Sequence, residues 1–301
     1  MNDRHAYLIM AHGNYDQLHM LLRALDHPLN DVFIHVDAKA PQPDISALLD
    51  GIGHATVQVY RRYRIYWGHY SQTACEMFLL EKAISSGQHA YYHLLSGVDL
   101  PLKTQDEIHE FFGQHPTREF VSLQAPQIAP HVRRWVSLYY PMQRLLRASR
   151  SPVIYKLLEY ISNGLCLIQM LCRIDRLRGT HQLLQKGATW FSITDAFARY
   201  VVDHADWVEE TFRHTRSSDE IFLQTLLANS PFAANRWPLG YEEDGETGIR
   251  LIDWERGNPY VFRSGDFGEL MKSTALFARK FDDTRDPIII ERIVEALTDH
   301  Q

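Results

Sequence analysis

The chain has 301 residues, 45% of them hydrophobic, and a formal net charge of −6 at pH 7. This length and composition suffice for a substantial globular core, and the acidic balance excludes a global positive field that would attract nucleic acid. The three cysteines, Cys75, Cys166 and Cys172, form neither a CxxC pair nor a zinc-ligand pattern, which favours a reducing compartment over a disulfide framework.

The first half of the sequence alternates between strand and helix patterns. Strands are predicted in HAYLIMAH, DVFIHVDA, ATVQVYR and AYYHLLSG, and helices in YDQLHMLLRAL, ISALLDGI, SQTACEMFLLEKAISSG and TQDEIHEFFGQHP. This alternation predicts βαβ units, and therefore an α/β fold with a mainly parallel sheet flanked by helices. Ligands of such sheets bind at the carboxyl ends of the strands, where this sequence has His12, Asp37 and Asp99.

The pattern becomes less regular after REFVSL. The sequence predicts a strand and a helix in GATWFSITDAFARYVVDH, a strand in IRLIDWERGNPYVF, and a helix in SGDFGELMKSTALFARKF that ends in the basic pair Arg279 and Lys280. No repeat, low-complexity tract or linker rich in Gly, Ser or Pro interrupts the chain. We therefore expect a single domain over residues 1–301 with an elaborated C-terminal half.

One long apolar segment, residues 151–179, is interrupted by Lys156, Glu159 and Asn163. A membrane-spanning helix needs about 20 apolar residues with almost no charge, so one or two amphipathic helices are predicted instead. They belong to a helical insertion at about residues 141–179. Their apolar face packs against the core of the domain or, as alternatives, against a membrane surface, a dimer partner or an acceptor.

The stretch RSSDEIFLQTLLANS supports two interpretations of Glu220. Ser217 and Glu220 stand three residues apart before an apolar run, which is the pattern of a capping box at the start of a helix. A carboxylate at the start of a helix can also act as a general base. The sequence predicts both roles for Glu220.

Other candidate sites remain ambiguous when only the residues are considered. His35 and Asp37 lie on one face of a predicted strand and suggest a metal site with His12, His69 or His93, or else a buried histidine beside a turn-capping aspartate. The stretch RRYRIYWGHYS suits a base, a sugar or a phosphate, or it is a strand edge with exposed arginines. The pair in FARKFDD is a diphosphate clamp or a complement to a helix dipole. The sequence contains none of the motifs GxGxxG, GxxxxGK[ST], GxSxG and HExxH.

Taken in order, eight stretches resemble the core-2/I-branching β-1,6-N-acetylglucosaminyltransferase family, which includes the peptide O-xylosyltransferases. They are AYLIMAHGNYDQLHMLLRAL, FIHVDAKA, RIYWGHYSQTACEMFLLEKAI, YYHLLSGVDLPLKTQDEIHEFF, GATWFSITDAFARYV, SSDEIFLQTLLANSPF, IDWERGNP and ALFARKFD. The resemblance runs from residue 6 to about residue 282. It implies a glycosyltransferase-A type fold with a Rossmann-like domain that binds a UDP-sugar.

The resemblance also implies an inverting reaction that requires no metal and no cofactor besides the donor. The metal-binding Asp-x-Asp is absent here, because Asp37 is followed by Ala38 and Lys39. Members of the family place basic side chains on the diphosphate, and the matching pair is Arg279 and Lys280. A further arginine is supplied from upstream, for which Arg256 and Arg263 are alternative candidates.

Individual positions carry over from the family by their motifs. Asp37 and Tyr66 match positions near the uridine, and Glu220 matches the catalytic base. Trp190 and Trp254 match positions that line the sugar and acceptor cleft. Of the strand-end residues, His12 is assigned to the donor and Asp99 to the substrate.

These assignments divide the domain into a nucleotide-binding half, residues 1–125, and an acceptor and catalytic half, residues 126–301. The expected partners are a UDP-sugar carrying N-acetylglucosamine or xylose and a glycan or glycolipid acceptor, with a role in bacterial surface polysaccharide synthesis. The first apolar run is too short for a signal peptide, so a cytoplasmic location is expected, with a peripheral position at the inner membrane as an alternative. A metal-dependent hydrolase using His35 and Asp37 and a non-catalytic sugar-binding protein remain the alternative functions.

Overall fold

The computed structural model describes residues 3–124, 129–149, 151–237, 246–247 and 249–298. The first elements in chain order are β1 (His5–Ala11), α1 (Tyr15–Ala24), β2 (Asn30–Val36), α2 (Ile45–Leu48), β3 (Thr56–Tyr60), α3 (Ser71–Ser86), β4 (Tyr91–Ser96), β5 (Asp99–Pro101), α4 (Gln105–Gln114) and β6 (Glu119–Val121). The following elements are α5 (Ala129–Ser137), α6 (Gln143–Ala148), α7 (Pro152–Leu171), β7 (Phe191–Thr194), α8 (Asp195–Asp203), α9 (Ala205–Phe212), α10 (Phe222–Ala228), β8 (Arg236–Trp237), β9 (Glu246–Thr247), β10 (Arg250–Ile252), α11 (Phe267–Lys272), β11 (Phe277–Arg279) and α12 (Pro287–Thr298).

The central sheet has seven strands in the order β3-β2-β1-β4-β7-β6-β8. Its first four strands are parallel, β7 runs antiparallel to β4 and β6, and β6 is parallel to β8. Nearly every residue of β1, β2 and β4 is buried, as expected for parallel strands that are covered on both faces. The predicted mixed α/β architecture with a mainly parallel sheet flanked by helices is therefore confirmed.

Two hydrophobic clusters cover the two faces of this sheet. Tyr7 and Ile9 belong to one cluster, with side chains from α1, α4 and α12, whereas Ala6 and Leu8 belong to the other, with side chains from α3, α8 and α10. This division follows from the alternation of side chains along a strand. Burial of each large side chain contributes about 1.5–3 kcal/mol, so the layered core holds the strand ends in fixed positions.

A smaller sheet with the strand order β5-β11-β10-β9 lies beside the central one. Its strand β11 corrects a prediction, because the helix expected to continue to Arg279 ends at Lys272 and Phe277–Arg279 is a strand. The residues from Ala275 to Ala278 are all buried, and β11 is hydrogen-bonded to β10 on one side and to β5 on the other. Pairing with two strands satisfies the backbone of a segment too short and too buried to form a stable amphipathic helix.

The predicted insertion at about residues 141–179 contains α6 and α7, which pack against each other. Helix α7 begins after Ser151, whose side chain accepts a hydrogen bond from the amide of Ile154, and Pro152 occupies its first turn. In the described part of the chain, no helix has both the length and the apolar character needed to cross a membrane.

Candidate active site

A cavity of about 890 Å³ opens at the carboxyl ends of β1, β2 and β4. This is the position expected for a ligand site in an open α/β sheet, because the strand order places several polar strand ends at one edge. Six of the ten residues predicted for the site line this cavity: His12, Asp37, Trp190, Glu220, Trp254 and Arg279. The other four, Tyr66, Asp99, Arg256 and Lys280, lie outside the lining formed by the described residues.

Asp37 anchors the part of the cavity wall that follows β2. Its carboxylate oxygen Oδ1 accepts hydrogen bonds from the amides of Lys39, at 2.8 Å, and Ile65, at 3.3 Å. The ammonium of Lys39 lies 3.3 Å from Oδ2 of Asp37 and 4.4 Å from the ring centre of Tyr66. Tyr66 is therefore buried behind this wall, where it supports Lys39, and its neighbours Ile65 and Trp67 line the cavity.

Arg279 supplies a cation to another part of the wall. Its guanidinium donates to Oδ1 of Asp99 at 2.7 Å and to the hydroxyl of Ser96, and it lies 4.4 Å from the ring centre of Trp190. Asp99 is buried and also accepts from the amide of Ser96, at 2.7 Å. Asp99 thus holds Arg279 and Ser96 at the strand end from behind the cavity surface.

Lys280 and His12 lie close to Arg279 at this wall. In the described structure no carboxylate lies within ion-pair distance of the Lys280 ammonium. The pKa of His12 is lowered, first because its position in the wall reduces hydration and then because of the nearby charges of Lys280 and Arg279. His12 is therefore mainly neutral at pH 7 and can donate one N–H to an anion in the cavity.

Glu220 places a carboxylate in the same cavity. Its Oε2 lies 2.9 Å from the ammonium of Lys186, and its side chain is 30% exposed. No described residue donates a hydrogen bond to its other oxygen, Oε1. The backbone carbonyl of Glu220 accepts from the amide of Gly187 at 2.9 Å, and this contact ties the two chain segments together. A Cβ atom at residue 187 would lie 1.8 Å from the carbonyl oxygen of Ser122, so only glycine fits there.

The capping box predicted at Ser217 is wrong. Ser217 has a left-handed backbone with φ of 49° and caps no helix through its side chain, residues Ser218–Glu220 form a 3-10 turn, and α10 begins only at Phe222. Tertiary contacts decide this geometry, because the Ser217 amide donates to the carbonyl of Gly68 at 2.9 Å and the Ser218 hydroxyl contacts that of Thr73 at 2.8 Å. The Glu220 carboxylate is consequently not used in a helix cap.

Asp219 is a second carboxylate in the cavity lining. Its Oδ2 accepts from Gln72, at 3.1 Å, and from Thr189, at 3.0 Å, while its Oδ1 is buried with no partner among the described residues. Burial, followed by the charge of Glu220, raises the pKa of Asp219 to about 7. The pKa of the buried Glu76 carboxyl is well above its usual range, first because of burial and then because of the charge of Asp219.

Arg256 occupies a different environment from the predicted diphosphate contact. Its guanidinium is paired with Asp253, with Asp266 at 2.9 Å and with Glu269 at 3.1 Å. Three carboxylates therefore compensate this one cation at the protein surface. Arg263, the alternative candidate, is exposed, and its backbone amide donates a hydrogen bond to the Asp266 carboxylate at 2.8 Å.

His35 lines the cavity, but its ring has a structural role. Its Nε2 accepts hydrogen bonds from the amides of Arg62, at 3.2 Å, and Tyr63, at 2.9 Å, so this lone pair is not available to a metal ion. Burial lowers the pKa of His35 to about 4. Within the described ranges, no three His, Cys, Asp or Glu side chains are grouped to hold one metal ion. The interpretation of His35 as a buried structural histidine therefore fits better than the metal-dependent hydrolase.

Sequence patterns did not identify two lysines of the cavity as site residues. Lys39 was noted only because it replaces a second acidic residue after Asp37, and Lys186 was not singled out at all. Their one sequence signal is their position, since Lys39 follows a strand end and Lys186 precedes the stretch GATWF. Only the fold brings Lys186 to Glu220, which lies 34 residues later in the chain.

Comparison with known proteins identifies the family of the chain. A family model described as Branch, the core-2/I-branching enzyme, matches residues 5–268. Human xylosyltransferase 2 is 23% identical over 96% of this chain, and human β-1,3-galactosyl-O-glycosyl-glycoprotein β-1,6-N-acetylglucosaminyltransferase is 22% identical over 97% of it. The aligned region is 33% of the xylosyltransferase and 69% of the second enzyme, so the chain spans about a third of the length of the xylosyltransferases it matches.

A solved structure, that of mouse xyloside xylosyltransferase 1 in its apo form, aligns with 94% of this chain and 99% of its own chain. The identity is 10% and the TM-score is 0.37, which is too low to establish a shared fold. The family model is the decisive comparison, because it covers nearly all of the chain that carries the cavity. The chain therefore belongs to the core-2/I-branching enzyme family, as its resemblance in eight ordered stretches predicted.

Proposed function

We propose that this protein is an inverting, metal-independent glycosyltransferase that moves N-acetylglucosamine or xylose from a UDP-sugar to a hydroxyl of a glycan. One observation carries the proposal: a single cavity holds the partly exposed carboxylate of Glu220 together with the cation Arg279, and Lys280 and His12 adjoin that cation. A cavity of about 890 Å³ has the size of a small-molecule site. The xylosyl- and N-acetylglucosaminyltransferases among the relatives support the sugar classes named.

The cationic wall suits the diphosphate of the donor. Charge-assisted hydrogen bonds from Arg279 and Lys280 to phosphate oxygens are about twice as strong as neutral ones. They also meet the negative charge that develops on the departing diphosphate, where preorganised donors contribute most to rate. Asp99 and Trp190 fix the Arg279 guanidinium in advance, so little ordering is needed when the donor binds.

The reaction is a single displacement. The acceptor oxygen forms a bond to the anomeric carbon while the bond from that carbon to the diphosphate oxygen breaks, and UDP leaves with the electron pair. Glu220 takes the hydroxyl proton of the acceptor in the same step. Attack on the face opposite the leaving group inverts the anomeric configuration.

Lys186 positions this base. Its ammonium engages Oε2 of Glu220 at 2.9 Å, and it also donates to the side-chain oxygen of Gln124 at 3.3 Å. This contact occupies Oε2 of the carboxylate and leaves Oε1, which has no donor among the described residues, for the acceptor hydroxyl. A base fixed in this way keeps a defined geometry relative to the anomeric carbon, which is the usual requirement for efficient proton transfer.

The test is a turnover assay with UDP-N-acetylglucosamine and UDP-xylose over a panel of glycan acceptors. It is run in excess EDTA and again with added Mn²⁺. We expect acceptor-dependent release of UDP that persists in EDTA, with an inverted anomeric configuration in the product by NMR. Catalysis that disappears in EDTA and returns with Mn²⁺ would contradict metal independence, and UDP binding without turnover would favour the non-catalytic alternative.

A further inference from the structure

Helix α7 contacts the rest of the protein through its polar side. The residues that it buries are Ser162, Cys166 and Gln169. The amide of Gln169 accepts from the backbone N–H of Tyr139, at 2.8 Å, and donates to the carbonyl of Tyr139, at 2.9 Å. A surface helix of a globular protein normally turns its apolar stripe toward the core, so α7 has the opposite orientation.

The outer side of α7 is apolar and exposed. Tyr160 is 75% exposed and Leu171 is 74% exposed, and the same stripe includes Val153, Leu157, Leu167 and Ile168. At about 100° per residue, this stripe covers an arc of about 100° along 20 residues of helix. Exposed apolar surface of this extent marks an interaction site, because a monomeric soluble protein rarely leaves it uncovered.

The stripe lies in the most basic part of the chain. Residues 129–180 contain nine Arg and Lys residues and two acidic residues, whereas the whole chain has a net charge of −6. Seven of these cations are exposed, and the five from α6 onward are Arg144, Arg147, Lys156, Arg173 and Arg178. In the described structure none of the five lies within ion-pair distance of a carboxylate. The charge that surrounds the stripe therefore complements an anionic partner.

We propose that the α7 face, defined as this exposed stripe and its five exposed cations, docks the protein on the surface of a bilayer that contains anionic lipids. A helix with one apolar face and basic flanks lies in the plane of the interface, with its apolar side chains among the acyl chains. Basic residues beside it are attracted electrostatically to an anionic leaflet. The exposed apolar stripe suits the acyl-chain region of the bilayer, and the concentrated positive charge suits its anionic headgroups.

A second copy of the chain is the competing occupant. Two apolar stripes can pack against each other, but the same contact brings together two regions that each carry a strong excess of positive charge. Like charges that face each other across an interface oppose association. The charge balance of residues 129–180 thus favours the lipid surface over self-association.

Docking in this orientation places the cavity near the lipid headgroups. Helix α6 packs against α7, and its Arg147 guanidinium lies 4.3 Å from the ring centre of Trp67, which lines the cavity. An acceptor carried by a lipid then has a short path from the bilayer to Glu220. The docking itself does not depend on the proposed activity, and its test uses no turnover.

The test is co-sedimentation of the full chain with vesicles of phosphatidylcholine alone or mixed with phosphatidylglycerol, at low and high salt. We expect binding to the mixed vesicles that weakens with salt and is slight on the neutral ones. The triple variant Leu157→Ser, Tyr160→Ser, Leu171→Ser should lower the partition coefficient by about tenfold or more. The matched control Leu183→Ser, Ile288→Ser changes exposed apolar residues elsewhere and should bind as the wild type does.

Charge is tested separately with Arg173→Gln, Arg178→Gln, which should weaken binding about tenfold, against Arg23→Gln, Arg213→Gln as the control pair. Circular dichroism and thermal melting establish that each variant is folded. The proposal would be overturned if the wild type did not bind the mixed vesicles, or if the triple variant bound them as well as the wild type does. A dimer in sedimentation velocity that the triple variant dissociates, with no vesicle binding, would assign the α7 face to self-association instead.

Discussion

The titratable groups at the two ends of the parallel strands β1 and β4 lie in different environments. Toward the amino ends, His5 and His93 are buried, with 3.1 Å between His5 Nδ1 and His93 Nε2, and His93 Nδ1 lies 2.8 Å from the hydroxyl of Ser192. The pKa values of both rings are well below the usual range, first because of burial and then because of the charges of neighbouring His and Arg groups. These histidines are neutral members of the core.

At the carboxyl ends of the parallel strands, acidic and basic side chains form pairs around the cavity. Asp37 pairs with Lys39, Arg279 with Asp99, and Glu220 with Lys186. Each pair joins a group that is nearly buried to one that is more open to the cavity. A charged side chain in such a pair can leave its protein partner and bind a substrate group. The buried histidines cannot contact a substrate.

The difference follows from the fold and separates stability from function. A buried neutral group contributes through packing and hydrogen bonds, and charging it destabilises the protein. A charged group at a cavity contributes through what it binds, and the core can tolerate its neutralisation. Mutations at the two ends should therefore change different measured quantities.

The largest expected effect is on turnover at the carboxyl end. Glu220→Gln removes the proton affinity of the base but keeps an oxygen for Lys186, so turnover should fall by about 10²–10⁴-fold while Tm stays within a few degrees. Steady-state assays and thermal melting measure both, with the exposed Glu210→Gln as the matched control. Near-normal turnover in Glu220→Gln together with a collapse in Asp219→Asn would transfer the role of base to Asp219.

The second prediction concerns the cation wall. Lys280→Ala should weaken UDP binding by about 1.5–3 kcal/mol, because a charge-assisted phosphate contact is lost, with little change in Tm. Isothermal titration calorimetry with UDP measures this loss, and Lys272→Ala, which removes an exposed lysine from α11, is the control. Equal UDP affinity in the two variants would remove Lys280 from the donor site.

Asp219 tests the difference between the two ends of the strands, because it is a buried group that also lines the cavity. Its pKa is about 7, above the ordinary value of 3.8, so the stability that it contributes is complete below pH 3.8 and is lost as pH rises through about 7. Asp219→Asn lacks this titration. We therefore expect the free energy of unfolding to fall by about 2–3 kcal/mol more in the wild type than in the variant between about pH 5 and pH 8.

Urea unfolding at the two pH values measures that difference, with the exposed Asp50→Asn as the control. A parallel pH dependence in the wild type and in Asp219→Asn would show that this carboxyl does not titrate in the native state within that range. Asp219 would then belong with the cavity charges rather than with the core.

The smallest effect is expected at the amino end, from His109 beside the histidine cluster. Burial, followed by the charge of His27, lowers its pKa to about 4, so the stability that it contributes is present above pH 6.5 and is lost as pH falls toward 4. His109→Gln keeps a donor for Asn30 and should reduce the loss of unfolding free energy between about pH 7 and pH 5 by about 1 kcal/mol. The exposed His54→Gln should show no such reduction. Reduced turnover in His109→Gln at unchanged stability would show that the amino end also contributes to catalysis, contrary to the proposed division between the two ends.

Local patterns were predictable where local physics decides the structure. The alternating apolar segments predicted β1, β2 and β4 with their helices, because burial on both faces leaves a clear mark on a parallel strand. A true capping box occurs at Thr104 and Glu107 before α4, where both reciprocal hydrogen bonds are present. The same pattern at Ser217 fails, because Gly68 and Thr73 hold that turn in another conformation.

The α/β class, the family and the strand ends that carry His12 and Asp37 were predictable from the amino-acid sequence, because each rests on patterns within short stretches of the chain. The position of Arg279 on a strand, the contact of Lys186 with Glu220 and the neutralisation of Arg256 at the surface depend on the tertiary structure. It also decided that α7 presents its apolar side outward, since amphipathic periodicity shows that two faces exist and not which one is covered. These contacts join residues far apart in the chain, and their energies depend on neighbours that no local pattern contains.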